Sequence, residues 1–239
     1  MSLPAHGMAE RLVPGVYRVD AIRPSNAINV LLIEEEDGWT LVDTGIAASA
    51  PRIEAVLEAF GPGIPGLRKV FLTHQHTDHT GGLKRILERA PGAELWAPEH
   101  EAEVVSGRRG YDPQSGRLLR ILSRSARPPG VPVDRVLGEG ETVAGFRIIA
   151  TPGHTPGHVS LLRDADGLLF TADAFGCMPR RLRVGVRRAF CTDPPQAKRS
   201  AQRLLDEDFA TVVMSHGPVL RGIGARERLQ KALEECDYA

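Results

Sequence analysis

The segment Thr73-His74-Gln75-His76-Thr77-Asp78-His79-Thr80-Gly81-Gly82 puts three imidazoles and one carboxylate within six positions. Neutral imidazoles and carboxylates are the ligands that Zn²⁺ and similar first-row ions select. In an extended segment His74 and His76, at i and i+2, point the same way. Asp78 and His79 come next, where the chain turns, and can face a second point nearby. A single buried histidine is usually a hydrogen-bonded core residue. Four such groups so close together would be costly to bury without partners. The stretch therefore reads as a metal site.

The flanking sequence explains how the cluster is held. Val70-Phe71-Leu72 is an apolar, β-prone run, and Leu83, Ile86 and Leu87 are spaced for one face of a helix. The cluster thus lies between a strand's C-terminal end and a helix, where open α/β sheets place ligand sites. Gly81 and Gly82 let the helix start pass close to it. The pattern recurs along the chain. The strand ending at Val42 delivers Asp43, whose simplest role is to cap the next segment. Phe146 to Ala150 leads to His154, Leu168 to Thr171 leads to Asp173, and Thr211 to Met214 leads to His216. Helices are expected over Ser49–Phe60, Pro194–Leu205 and Ala225–Cys236. Two similar halves of strands followed by helices predict an α/β (α+β) fold. It is a four-layer sandwich with helices outside, two pseudo-duplicated halves and the site at one edge.

Residues 1–239 are expected to form a single domain. About 106–134 is the least sheet-like part. It carries a short helix at Leu118, Leu119, Ile121 and Leu122, and reads as an inserted lid or a homodimer contact. His100, among acidic neighbours, reads as solvated or structural. Lys+Arg and Asp+Glu both number 30, without the basic excess of a nucleic-acid binder. The three cysteines are too few for a disulfide framework, and Met1 to Gly15 shows no apolar leader core. No apolar run approaches a membrane span. The expectation is a cytoplasmic protein acting on a small molecule, with neither nucleic acid nor membrane as partner.

With the residues from Asp43 to His216 in this order, the chain resembles the metallo-β-lactamase-fold hydrolases, in particular glyoxalase II-like and lactonase-like members. The His-x-His-x-Asp-His core, Gly153-His154, Asp173 and His216 carry the resemblance. It implies an αββα sandwich and two divalent ions, zinc first, with iron or manganese as alternatives. It assigns His74, His76 and His154 to one ion and Asp78, His79 and His216 to the other, with Asp173 between them. Asp43 would orient a ligand from behind, and His158 would pack behind the centre. The implied chemistry is a metal-bridged hydroxide attacking an electrophilic carbon or phosphorus, with Asp78 shuttling a proton.

A small ester, lactone or thioester is the expected substrate. His79 argues against β-lactamases that lack a histidine there, and no glutathione-binding signature is visible. Substrate contacts are not legible, apart from a basic stretch from Phe175 to Phe190. There Arg180 and Arg181 (with Arg183, Arg187 and Arg188) form either a solvated loop or an anion-recognising wall. Cys177 reads as a small packed residue rather than a nucleophile. Two other functions compete: a mononuclear iron persulfide dioxygenase, disfavoured by the full ligand set, and a non-enzymatic metal-binding protein.

Overall fold

The computed structural model describes residues 7–61, 63–178 and 181–238. The first half builds a seven-stranded sheet in sequential order. Its strands are β1 (Ala9–Val13), β2 (Val16–Asp20), β3 (Asn29–Glu35), β4 (Gly38–Val42), β5 (Leu67–Phe71), β6 (Glu94–Pro98) and β7 (Arg135–Leu137). Helices α1 (Ala50–Ala59), α2 (Thr77–Thr80), α3 (Leu83–Arg89) and α4 (Glu99–Val105) connect its parallel part, and α5 (Arg117–Ser125) precedes β7.

The second half adds β8 (Thr142–Val143), β9 (Phe146–Ala150), β10 (Val159–Arg163) and β11 (Leu168–Phe170). A separate hairpin comes next, β12 (Phe175–Cys177) with β13 (Leu182–Val184). The chain then forms α6 (Pro194–Arg203), β14 (Thr211–Val213), β15 (Leu220–Arg221) and α7 (Ile223–Glu234). Its main sheet has the order β15-β14-β11-β10-β9-β8.

Period-two alternation sorts the apolar residues into three cores. On β3, Val30 and Leu32 join Ile53, Val56, Leu57 and Ile86 beneath the first helical layer. Leu31 and Ile33, on the opposite face, pack between the two sheets with Phe146, Leu161 and Phe170. On β9 to β11, Ile149, Leu162 and Leu169 face α6 and α7. Both faces of each sheet are therefore covered, which gives the expected αββα layering and explains why these strands read as nearly continuous apolar runs.

Three pieces of structure were not foreseen. β1 and β15 are short edge strands whose mixed composition gives little periodic signal. The β12–β13 hairpin takes the place of the basic loop expected over 175–190. Its strands are three residues each, too short for alternation to register.

The rim is organised by strand direction. β4 and β5 run parallel, as do β11 and β14, and β9 is antiparallel to β10, which is antiparallel to β11. Asp43, the His74–His79 loop, His154, Asp173 and His216 all lie just past C-terminal strand ends at one edge. Asn29 bolts the halves together there. Its backbone N–H donates to Ser215 O at 2.7 Å, and its side-chain amide donates to Met214 O at 2.9 Å and Gly217 O at 2.8 Å. On the other side of the site, Val159 N–H donates to Thr73 O at 3.3 Å.

The His154 loop is seated on the start of α6. Gly153 has φ +122°, and a Cβ there would collide with the Ala197 backbone. Gly153→Ala is expected to lower stability by ~1–3 kcal/mol from its backbone conformation alone, and further through the collision. Urea unfolding measures this, and an unchanged midpoint would show that the loop is not held against α6.

Candidate metal centre

Seven side chains from four loops meet at the rim. Three overlapping groups have ligand atoms within 4.8 Å of one another: His74, His76 and His154; His74, His79 and Asp173; and Asp78, His79 and His216. Asp173 touches both ends of the cluster. Its Oδ2 lies 3.2 Å from His154 Nε2, 3.6 Å from His79 Nε2 and 3.9 Å from His74 Nε2, while Oδ1 lies 3.6 Å from His216 Nε2. Asp78 Oδ2 lies 3.2 Å from His216 Nε2. All but His76 and Asp78 are buried.

Most of the imidazoles are oriented from behind. His79 Nδ1 donates to Asp43 Oδ2 at 2.8 Å. The same carboxylate accepts from Thr73 N–H and Thr73 Oγ1, each at 2.8 Å. Since the Thr73 hydroxyl proton goes to Asp43, its oxygen accepts from His74 Nδ1 at 3.0 Å. His216 Nδ1 donates to Ala27 O at 2.6 Å. His154 Nδ1 lies 3.9 Å from Cys191 Sγ. These contacts place a proton on Nδ1 and turn Nε2 inward toward the centre.

His76 is reversed. Its Nδ1 lies 2.9 Å from His154 Nε2, and its Nε2 lies 2.8 Å from the side-chain amide of Gln114. An N–H at Nε2 requires the amide oxygen at that end. Asp43 thus has more than a capping role. His158, also behind the cluster, accepts from Asp173 N–H at 3.1 Å through Nε2 and is 2.8 Å from Thr151 Oγ1 through Nδ1.

The cluster fits divalent ions on one structural ground. Among the described residues, His74 Nε2, His79 Nε2 and Asp173 Oδ1 are buried without a hydrogen-bond partner. Buried polar atoms are normally satisfied, and here the orphaned ones converge. Cations bound within the cluster would give all three a partner.

Backbone strain gathers at the same place. Of the five non-glycine residues with positive φ among those described, Asp43 (+63°) is itself at the site and Ala172 (+45°) precedes Asp173. Such conformations persist where surrounding contacts over-determine them.

A second polar network lies behind the metal loop, and sequence reasoning missed it. Gln75 points away from the centre. Its amide donates to Glu101 Oε2 at 3.1 Å and Asp112 Oδ2 at 2.8 Å, and its Oε1 accepts from Asp112 N–H at 2.9 Å. Glu101 Oε1 accepts from Thr155 Oγ1 and Gly157 N–H, each at 2.8 Å. Glu101 is fully buried, and burial pushes its carboxyl up to about 7. His100 serves this network through Asp112 Oδ2 at 2.6 Å, a structural role. The network ties the two histidine loops to each other and to the start of the 106–134 segment. A signal existed: the i, i+2 alternation that aims His74 and His76 one way aims Gln75 the other.

Among the described residues, none of the arginines of the basic stretch lines the cavity over the centre. Arg181 pairs with Glu235 at 3.0 Å and lines a separate cavity with the end of α7. Arg183 donates to Met178 O, and Arg188 lies over the Tyr238 ring. Arg180 lies outside the described residues. Cys177 is half-buried, with its N–H donating to His216 O at 2.6 Å.

Comparison with known proteins identifies the family. The family model of the metallo-beta-lactamase superfamily matches residues 24–216. The chain belongs to the metallo-beta-lactamase superfamily. Within it, this member is 30% identical over 87% of its length to protein YobT of Bacillus subtilis, covering 90% of that protein. It is also 30% identical to the probable metallo-hydrolase YflN of the same organism, over 64% of this chain and 61% of the other. A hydroxyacylglutathione hydrolase of Chelativorans is 29% identical over 72% of this chain, but only 57% of that enzyme is spanned. Among solved structures, a Cronobacter sakazakii metallo-beta-lactamase variant superposes with a TM-score of 0.67 at 27% identity, covering 88% of this chain and 80% of that one. In class, this superfamily member is a metal-dependent hydrolase. No helix among the described residues is long and apolar enough to cross a membrane.

The electrostatics predict how metal and protons compete. Burial and neighbouring imidazoles push His76 down to about 3 and His74 well below its ordinary value, so both are neutral at pH 7. Burial also pulls His79 and His216 down, but carboxylates overcome it. Asp43 and Asp173 raise His79 well above its ordinary value, and Asp173 and Asp78 raise His216 to about 10. A metal ion must displace these protons. Affinity should therefore rise with pH above 7, by up to about tenfold per unit for each proton displaced. Calorimetric zinc titration in buffers of different ionisation enthalpy counts the released protons. A buffer-independent heat would refute the prediction.

Proposed function

We propose that the protein hydrolyses a small ester, lactone or thioester, using two divalent ions held by the seven clustered groups. Zinc is the favoured ion, because five of the seven ligands are imidazoles. His74, His76 and His154 would hold one ion, Asp78, His79 and His216 the other, and Asp173 would serve both. The observation that carries this reading is Asp173, whose carboxylate lies between 3.2 and 3.9 Å from His74 and His154 of one group and His79 and His216 of the other, with one oxygen left unpartnered. The metallo-hydrolase relatives support it.

When bound, such ions supply an acidified water and polarise the oxygen of the scissile group. The chain's own residues do the rest. The bolt at Asn29 and the Gln75–Glu101 network keep the loops from both halves in register. Asp43, Thr73 and the Ala27 carbonyl hold the imidazoles with Nε2 inward. Asp78, whose side chain is 37% exposed, lies at the cavity floor. It is placed to accept the proton of the attacking water and return it to the departing oxygen or sulfur. Water adds at the acyl carbon, the bond from that carbon to oxygen or sulfur breaks, and the products are an acid and an alcohol or thiol. A reducing, cytoplasmic setting is in keeping with three cysteines that are all unpaired.

Elemental analysis of protein purified without added metal, paired with assays on lactones, esters and thioesters, tests this. Two zinc-like ions per chain are expected. His76→Ala should retain fewer, with kcat/KM down by about a hundredfold or more. One iron per chain with oxygen consumption on a persulfide, and no hydrolysis, would overturn the proposal. Gln114→Ala should weaken metal retention by about tenfold, because His76 loses the group that sets its proton.

A further inference from the structure

A cavity of about 610 Å³ opens over the centre. His76, Asp78, His154, Asp173 and His216 form its floor. Its walls have a different character. Ile28 and Ile46 come from the first half, Met178 and Phe190 from the second, and Leu119 and Leu122 from α5. Among the described residues, no lysine or arginine lines it. A substrate bearing a carboxylate or phosphate remote from the reacting group would shed hydration there without meeting a cation. An apolar chain would gain by entering.

α5 is built for such a wall. Leu119, Leu122, Ser123 and Ala126 stand at i, i+3, i+4 and i+7 and line the cavity, while Arg117, Arg120 and Arg124 occupy the other face. In most surface helices an apolar stripe of this kind meets a core. α5 has no buried residue, and Leu122 remains 54% exposed over the open cavity. The foot of the helix is nevertheless fixed. Gln114 meets His76, Ser115 N–H donates to Cys191 O at 2.7 Å, and Gly116 N–H donates to Ala189 O at 2.9 Å. The apolar stripe is thus registered on the centre but not covered by the protein itself.

We infer that the substrate carries a neutral, apolar acyl chain, and that Leu119 and Leu122 form the wall that selects it. This rests on the hydrolase reading above and narrows its substrate class.

The test has a binding arm and a turnover arm, both on the metal-loaded protein. Calorimetry with methyl alkyl ketones, from 2-butanone to 2-undecanone, measures chain binding without hydrolysis. Affinity should rise roughly fourfold per methylene until the cavity is full, and a terminal carboxylate on the ketone should cost at least about tenfold. With p-nitrophenyl esters from acetate to decanoate, KM should fall along the series while kcat changes little. Leu119→Ser and Leu122→Ser should flatten both dependences. Leu122→Trp should exclude the longest chains and spare acetate. Leu118→Ser, at a position 68% exposed and off the cavity, should leave the profile unchanged.

Ketone affinity independent of length, or unaltered slopes in the Leu119 and Leu122 variants, would overturn the inference. So would an unaltered slope accompanied by a change in the mass of Leu122→Trp in light scattering, which would make the stripe a subunit contact. Esters turned over without length preference would defeat the inference and leave the hydrolase standing. The expected ketone slope without turnover of any ester, lactone or thioester would defeat the hydrolase reading, and the acyl substrate with it, and leave only a site for apolar chains.

Discussion

The structure turns on an electrostatic constraint. Five imidazoles and two carboxylates are brought together at one rim, most of them out of water, with several inner atoms left unpartnered. Such a cluster is unfavourable unless a cation occupies its middle or protons do. The raised His79 and His216 and the lowered His74 and His76 show the protein dividing that cost without metal. Carboxylates raise His79 and His216 against the effect of burial, while burial and neighbouring imidazoles lower His74 and His76.

Holding this cluster requires rigidity from both halves of the sandwich. Parallel strands in two sheets end at the same edge, so the loops after them converge. Convergence alone does not aim an imidazole. That is done by groups one layer back: Asp43 and Thr73 for the metal loop, the Ala27 carbonyl for His216, and the Thr151–His158 pair for Asp173. Asn29 and Glu101 work further out, each joining segments distant in sequence. Replacing one of them would disturb several loops at once, because each satisfies polar groups on more than one.

The superfamily's catalytic edge leaves the substrate open, since one metal arrangement serves many acyl groups. In this chain the decision falls to the segment between β6 and β7. Its polar start is locked to the metal loop through Gln75 and His76, and its helical part presents leucines to the cavity. Of the arginines that the sequence left between a solvated loop and an anion-recognising wall, Arg181 pairs with Glu235 and Arg188 lies over the Tyr238 ring.

Local chemistry made much of this readable in advance. Period-two and helical apolar patterns gave the main strands and helices, and therefore the layers. The ligating residue types, each placed just after an apolar run, gave the candidate centre from His74 to His216. These features depend on neighbours close in sequence. What the tertiary structure alone decided is of another kind. Gln75 meets Glu101 across 26 positions, Gln114 meets His76 across 38, and Asn29 meets Gly217 across 188. A polar side chain has no periodicity to declare its partner, so its hydrogen bonds become visible only when the loops are brought together. The direction of the arginines and the uncovered leucines of α5 were hidden for the same reason. A residue's composition and spacing say which face it can occupy, and only the packed chain says what that face meets.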